Sequence, residues 1–256
     1  MPTDQVTPVV LVHGNPETTA VWDSLVERLV AQGQDKPLCL SPPGFGAPVP
    51  TGWGATVAEY RDWLVAELES AGRPVHLVGH DWGGGHVVNV AMTRPDLLRS
   101  WCSDVVGLFD PDYVWHDLAQ GWQSLEEGEA AVARLVRPPV EAKVSFLVEA
   151  GMDESVAQRI APAMDDVMGE CILRLYRSAA QPVMAGLGAG LEAAAARPGL
   201  AIMPTEDHRV GTEEQRRRAA ARAGARVEVL DGLGHWWMTR DPERAAAVLT
   251  RFWASL

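Results

Sequence analysis

Two acids and a base carry most of the chemical content of this chain. Asp81 stands in Gly79-His80-Asp81-Trp82-Gly83, between a buried-strand pattern and a helix pattern. That is the setting of a nucleophile elbow, a strained strand-to-helix turn that projects one side chain above a sheet. The small residues Gly79 and Gly83 let strand and helix approach. The usual occupant of the middle position is Ser; here it is Asp, whose competing role is to cap the following helix. His235, in Gly232-Leu233-Gly234-His235-Trp236-Trp237, follows the last strand pattern and can reach the elbow as a general base. Asp207, in Thr205-Glu206-Asp207-His208, would orient His235 and stabilise its charged form. Glu206 and Asp104 are the alternative acids. A carboxylate that attacks saturated carbon forms an ester, which water can cleave; a serine would form an ether, which resists it.

These groups need a sheet to hold them. Val9-Val10-Leu11-Val12 reads as a buried strand ending at the turn His13-Gly14-Asn15-Pro16. Further strands are expected at 38–40, 75–78, 101–107, 200–203 and 227–230, and helices at 22–29, 57–68, 83–92, 213–223 and 242–253. Alternation of this kind implies α/β architecture with a mostly parallel sheet covered on both faces. From about 109 to 198 strand patterns largely disappear and helical ones take over, as at 140–150, 156–163 and 167–177. The division expected is a core of 1–108 and 199–256 with a helical cap insertion, 109–198. No internal repeat is present.

The bulk numbers fit one large α/β domain with an insertion, or two small domains: 256 residues, 47% hydrophobic and 22% charged. A net charge of −12 disfavours nucleic acid and anionic membrane as partners. Cys39, Cys102 and Cys171 are odd in number and widely spaced, which suggests neither a disulfide framework nor a zinc site and fits a reducing, cytoplasmic location. No signal-peptide or membrane-spanning pattern is read. Gly83-Gly84-Gly85 lacks the rest of a phosphate loop, and Arg216-Arg217-Arg218 reads as a solvated helix face.

His13-Gly14-Asn15-Pro16, Gly79-His80-Asp81-Trp82-Gly83-Gly84, Asp207 and His235 together resemble the aspartate-nucleophile α/β-hydrolases, namely epoxide hydrolases and haloalkane dehalogenases. The resemblance covers nearly the full length, and the order nucleophile, acid, base is that of the α/β-hydrolase triad. It implies an α/β-hydrolase fold, no cofactor or metal, water as co-substrate and a cis Asn15–Pro16 bond. The backbone N–H groups of Trp82 and Asn15 would form an oxyanion hole for the ester's tetrahedral intermediate.

The two families differ at the leaving group. An epoxide oxygen leaves as an alkoxide and needs a proton donor, which epoxide hydrolases supply from two cap tyrosines. Tyr176, in Leu175-Tyr176-Arg177-Ser178, resembles the second of them. Tyr113 lies near the first position, and His116 could substitute there; Tyr60 reads as structural. A halide needs N–H donors, which in the resembling dehalogenases are an indole beside the nucleophile and an Asn after His-Gly; Trp82 and Asn15 match both. His13, Pro16, His116 and Trp236 are expected in the substrate pocket. Glu17, the cap tyrosines and Gly83-Gly84 favour an epoxide hydrolase acting on a small apolar epoxide. A haloalkane dehalogenase is the alternative, and a ligand-binding protein with an idle triad is the second.

Overall fold

The computed structural model describes residues 7–256. Six strands form one parallel sheet: β1 (Val9–Val12), β2 (Leu38–Leu40), β3 (Val75–Gly79), β4 (Leu98–Ser103), β5 (Gly199–Pro204) and β6 (Ala225–Leu230), in the order β2-β1-β3-β4-β5-β6. β1, β3 and β5 are buried throughout, as expected of parallel strands covered on both faces. The chain leaves β1 toward one edge of the sheet and returns as β3 on the other side. That reversal opens a crevice at the carboxyl ends of β1 and β3, where open α/β sheets bind ligands. Val12 pairs with Gly79 there, so the loop after β1 and the elbow after β3 start side by side.

The helices α1 (Asp23–Ala31), α2 (Val57–Ser70) and α3 (Trp82–Thr93) precede the fourth strand. α2 begins with a capping box in which Thr56 and Glu59 satisfy each other's backbone N–H groups. β4 differs from expectation: it ends at Ser103, and Val106–Phe109 forms a 3-10 turn. Asp104 causes this early end, because its carboxylate turns back to accept from the Asp81 N–H at 3.1 Å and from His80. Between β4 and β5 the described chain is helical: α4 (Asp117–Gln123), α5 (Gly128–Val136), α6 (Val140–Glu149), α7 (Glu154–Ile160), α8 (Asp166–Ser178) and α9 (Val183–Gly188). α10 (Glu213–Arg222), α11 (Trp237–Arg240) and α12 (Pro242–Trp253) complete the chain. Among the described residues, no helix is long and apolar enough to cross a membrane.

Candidate active site

The elbow is built by backbone contact. A Cβ on Gly79 would lie 2.4 Å from the Gly83 carbonyl oxygen, and one on Gly83 would lie 2.2 Å from that of Val12. Only glycine permits so close a crossing. Asp81 takes φ 50°, ψ −129°, a conformation that costs a non-glycine residue roughly 1–3 kcal/mol. Its side chain caps nothing: although Asp81 is the N-cap of α3, it makes no side-chain cap bond. The carboxylate is 16% exposed, into a cavity of about 40 Å³.

The two oxygens of that carboxylate have different surroundings. Oδ1 accepts the Asn15 backbone N–H at 2.9 Å. A Cβ on Gly14 would fall 2.1 Å from Oδ1 and 2.6 Å from the Trp82 nitrogen, so Oδ1 and the first N–H of α3 crowd the same point. Oδ2 lies 3.6 Å from His235 Nε2, longer than a hydrogen bond. Burial raises the Asp81 pKa, while the nearby His235 works the other way.

His235 Nδ1–H donates to Asp207 Oδ2 at 2.8 Å, which leaves Nε2 as the basic nitrogen facing Asp81. Burial alone would raise Asp207, but the His235 charge and hydrogen bond overcome it and hold the acid well below the usual range. Neither alternative acid reaches His235. Glu206 is exposed on the loop. Asp104 accepts from His80 Nδ1 at 2.5 Å and from the Trp237 indole at 2.7 Å.

Beneath the elbow is a charge cluster that the sequence motifs did not disclose. His80 lies fully buried between Asp104 and Glu17, whose Oε1 is 3.0 Å from His80 Nε2. With a carboxylate on each ring nitrogen, both nitrogens carry protons. Burial opposes this charge, yet Glu17 and Asp104 raise the His80 pKa well above its ordinary value; burial likewise opposes Glu17, which His80 brings down to about 2. Trp236 donates its indole N–H to Glu17 at 2.5 Å. The two tryptophans that follow His235 thus tie its loop to the acids that flank His80. Glu17, His80 and His235 place possible metal-ligand atoms within 4.8 Å of one another. Those on Glu17 and His80 are engaged with each other.

Of the expected pocket residues, Pro16, His116 and Trp236 line the cavity together with Asn15, Asp81 and Tyr176. His13 does not. It is fully buried, with its ring nitrogens on the Gly14 carbonyl at 2.9 Å and the Ser41 hydroxyl at 3.0 Å, so it braces the loop after β1. Tyr113 is the second correction. Its hydroxyl donates to the Arg209 carbonyl at 2.8 Å and does not line the cavity, because a buried phenol takes the nearest free acceptor. Tyr60 is similarly engaged, donating to the Pro43 carbonyl.

Tyr176, on α8, is fully committed to the site. Its oxygen accepts the Asn15 side-chain N–H at 3.0 Å, and its ring stands edge-on to the Trp82 indole with centroids 5.4 Å apart. Burial holds its pKa well above the ordinary value, so it stays protonated. His116 caps α4 by accepting the Ala119 N–H on Nδ1. Burial brings its pKa down to about 4, so the ring is neutral near pH 7 and carries its proton on Nε2. The Asn15–Pro16 bond is cis. Arg209, which no sequence motif singled out, also lines the cavity.

Comparison with known proteins agrees with this fold. Residues 9–248 match the alpha/beta hydrolase family. Haloalkane dehalogenase 2 of Mycobacterium tuberculosis is 31% identical over 96 residues, which is 36% of this chain and 32% of that protein. Cis-3-alkyl-4-alkyloxetan-2-one decarboxylase of Shewanella oneidensis is 32% identical over 99 residues, 36% of this chain and 30% of the relative. The chain therefore matches about a third of the length of these curated relatives. Among solved structures, haloalkane dehalogenase DbeA from Bradyrhizobium elkani superposes with a TM-score of 0.70 at 21% identity, over 99% of this chain and 93% of that one. A bromoperoxidase from Bacillus anthracis gives 0.70 at 21% identity, over 98% and 92%. With the family match spanning both sides of the elbow and all six strands, the chain belongs to the alpha/beta hydrolase family.

Proposed function

We propose that the protein hydrolyses a small epoxide to a diol through an ester on Asp81. Oδ2 attacks the less hindered ring carbon, the C–O bond breaks, and the alkoxide takes a proton. Oδ1 is then the ester carbonyl oxygen, and it already accepts the Asn15 N–H. His235 removes a proton from water as that water adds to the ester carbon. The charge that develops on Oδ1 is met by the Asn15 and Trp82 N–H groups; collapse of the intermediate expels the diol, whose departing oxygen takes the proton held by His235, and the remaining water-derived proton returns to the deprotonated donor as the Asp81 carboxylate is restored. Residues 109–198 serve as the cap that supplies the proton donor.

The observation that carries the epoxide reading is the place of the Tyr176 hydroxyl. It accepts from the Asn15 amide, so one of the two N–H groups that would bind a halide is already engaged. What the pair offers to the cavity is a polarised phenol, and a phenol gives a proton, which an alkoxide requires and a halide does not. His116, neutral with its proton on Nε2 and on the cavity wall, is the second donor in place of Tyr113. Haloalkane hydrolysis by the same Asp81 ester is the second reading, favoured by the similarity to haloalkane dehalogenase 2.

A panel of small epoxides and bromoalkanes, assayed for diol and for bromide, separates the two. Diol without bromide is the expected result, and bromide release with no diol from any epoxide would overturn the preference. His235→Gln should accumulate the ester, seen as the mass of the substrate added to Asp81. A verified substrate that leaves no such adduct would count against covalent attack.

A further inference from the structure

The catalytic cavity contains a cation that this reaction does not use. Arg209 lines the cavity with Asp81, Tyr176, His235 and Trp236, and its guanidinium carbon lies 5.5 Å from the centre of the Trp236 ring. Among the described residues the guanidinium makes no hydrogen bond or ion pair, whereas Arg218, on α10, is paired with Asp110 and Asp112. The backbone of Arg209 is fixed from both sides. Its N–H donates to Asp207 Oδ1 at 3.0 Å, and its carbonyl accepts the Tyr113 hydroxyl at 2.8 Å.

Support of the triad acid is a poor explanation for this cation. Asp207 is kept ionised chiefly by the charge and hydrogen bond of His235, and the Arg209 charge is the smallest of its named influences. A cavity meant only for neutral molecules would gain nothing from a guanidinium, whose desolvation on substrate entry is unfavourable. An anionic substrate, by contrast, needs one. It must approach a chain of net charge −12 and settle beside the Asp81 carboxylate. The guanidinium fork matches a carboxylate with two parallel N–H···O bonds, and the Trp236 face holds its plane.

We propose that Arg209 selects substrates that carry a carboxylate close to the reacting carbon, with Tyr113 and Asp207 holding it in place; this rests on Asp81 as the nucleophile. Tyr113 is thus a positioning residue for specificity, acting through the Arg209 carbonyl.

The test compares acids with their uncharged isosteres: 3,4-epoxybutanoate against 3,4-epoxybutanamide, and 3-bromopropanoate against 3-bromopropanamide. The wild-type protein should favour the acid by about tenfold or more in kcat/KM. In Arg209→Gln the acid should lose far more than the amide, mainly through KM, so that the ratio falls to near one. Arg209→Lys should restore part of it. Tyr113→Phe should shrink the ratio without a preferential loss on poor leaving groups, a pattern that loss of a proton donor would not give. Equal turnover of acid and amide by the wild type, or an equal loss on both in Arg209→Gln, would overturn the proposal. A binding arm needs no turnover: butanoate should raise the Tm of the wild type and not of Arg209→Gln, while butanamide raises neither. If no epoxide or bromide reacts, the Asp81 reading fails, and the butanoate result decides the anion site separately. No effect of butanoate on the wild type would then refute it.

Discussion

Replacing Tyr176 with Phe removes one oxygen and tests the leaving-group assignment from both directions. The ring is buried and makes edge contacts with Trp82, Trp115 and Trp122, so the variant should keep the packing. Loss of the O–H removes a proton donor from the step that opens the epoxide. General acid catalysis contributes about 10²–10⁴-fold, and with His116 still present the loss is expected near the lower end, about 10²-fold. Stability should fall little. The Asn15 side-chain N–H loses its acceptor, a cost of about 1 kcal/mol or more for a buried amide, or a few degrees in Tm. Water entering the cavity that Asn15 lines would reduce it. The clean measurement is made in a His235→Gln background, where only the first step is seen: the rate at which substrate mass appears on Asp81. For an epoxide that rate should drop about 10²-fold with Tyr176→Phe. For a bromoalkane it should hold or rise, because the Asn15 amide is released toward the departing halide. Epoxide opening within about threefold of the parent rate, given the size expected of a general acid, would refute the role assigned to Tyr176.

Two further outcomes concern stability. His80→Gln leaves Glu17 and Asp104 buried without their shared cation, and should destabilise the fold by about 3–5 kcal/mol, read from urea unfolding; adding Glu17→Gln should recover part of that loss. Stability should also fall as the pH is lowered from 7.5 to 4.5. His76, His86 and His116 have folded-state pKa values of about 4, 3 and 4 against an ordinary 6.5, chiefly through burial, so the unfolded chain binds protons first across that window. Glu17 adds to the loss below 4.5, whereas His80 acts oppositely, its contribution being present below 6.5 and lost only as the pH rises through its raised value. A urea midpoint that rises on acidification would contradict these signs, and His86→Phe should flatten the slope.

Much of this protein can be read along the chain because its backbone preferences are local. Short β-branched runs such as Val9–Val12 and Val75–Gly79 form strands, and glycines at 79 and 83 mark where strand and helix cross closely at the elbow. Asp81, Asp207 and His235 are also legible as neighbours, since each follows the end of a strand and so must face the same edge of a parallel sheet. The far end of β4 was misread for a reason of the opposite kind. Its apolar character continues to Gly107, but the Asp104 carboxylate is drawn back to the elbow by groups more than twenty residues away.

By itself, then, the amino-acid sequence determined the α/β alternation, the elbow, and the trio Asp81, Asp207 and His235. The tertiary structure alone decided how the polar side chains pair. It sent the Tyr113 hydroxyl to Arg209 and kept His13 out of the cavity. It also set His80 between two acids and turned the Asn15 amide onto Tyr176. The physical reason is range. Strand and helix patterns report torsional preference and burial over a few neighbours, whereas a buried donor takes whichever acceptor packing brings within about 3 Å, at any separation along the chain. The Trp236 indole finds Glu17 across 219 residues, and no spacing in the sequence announces that contact.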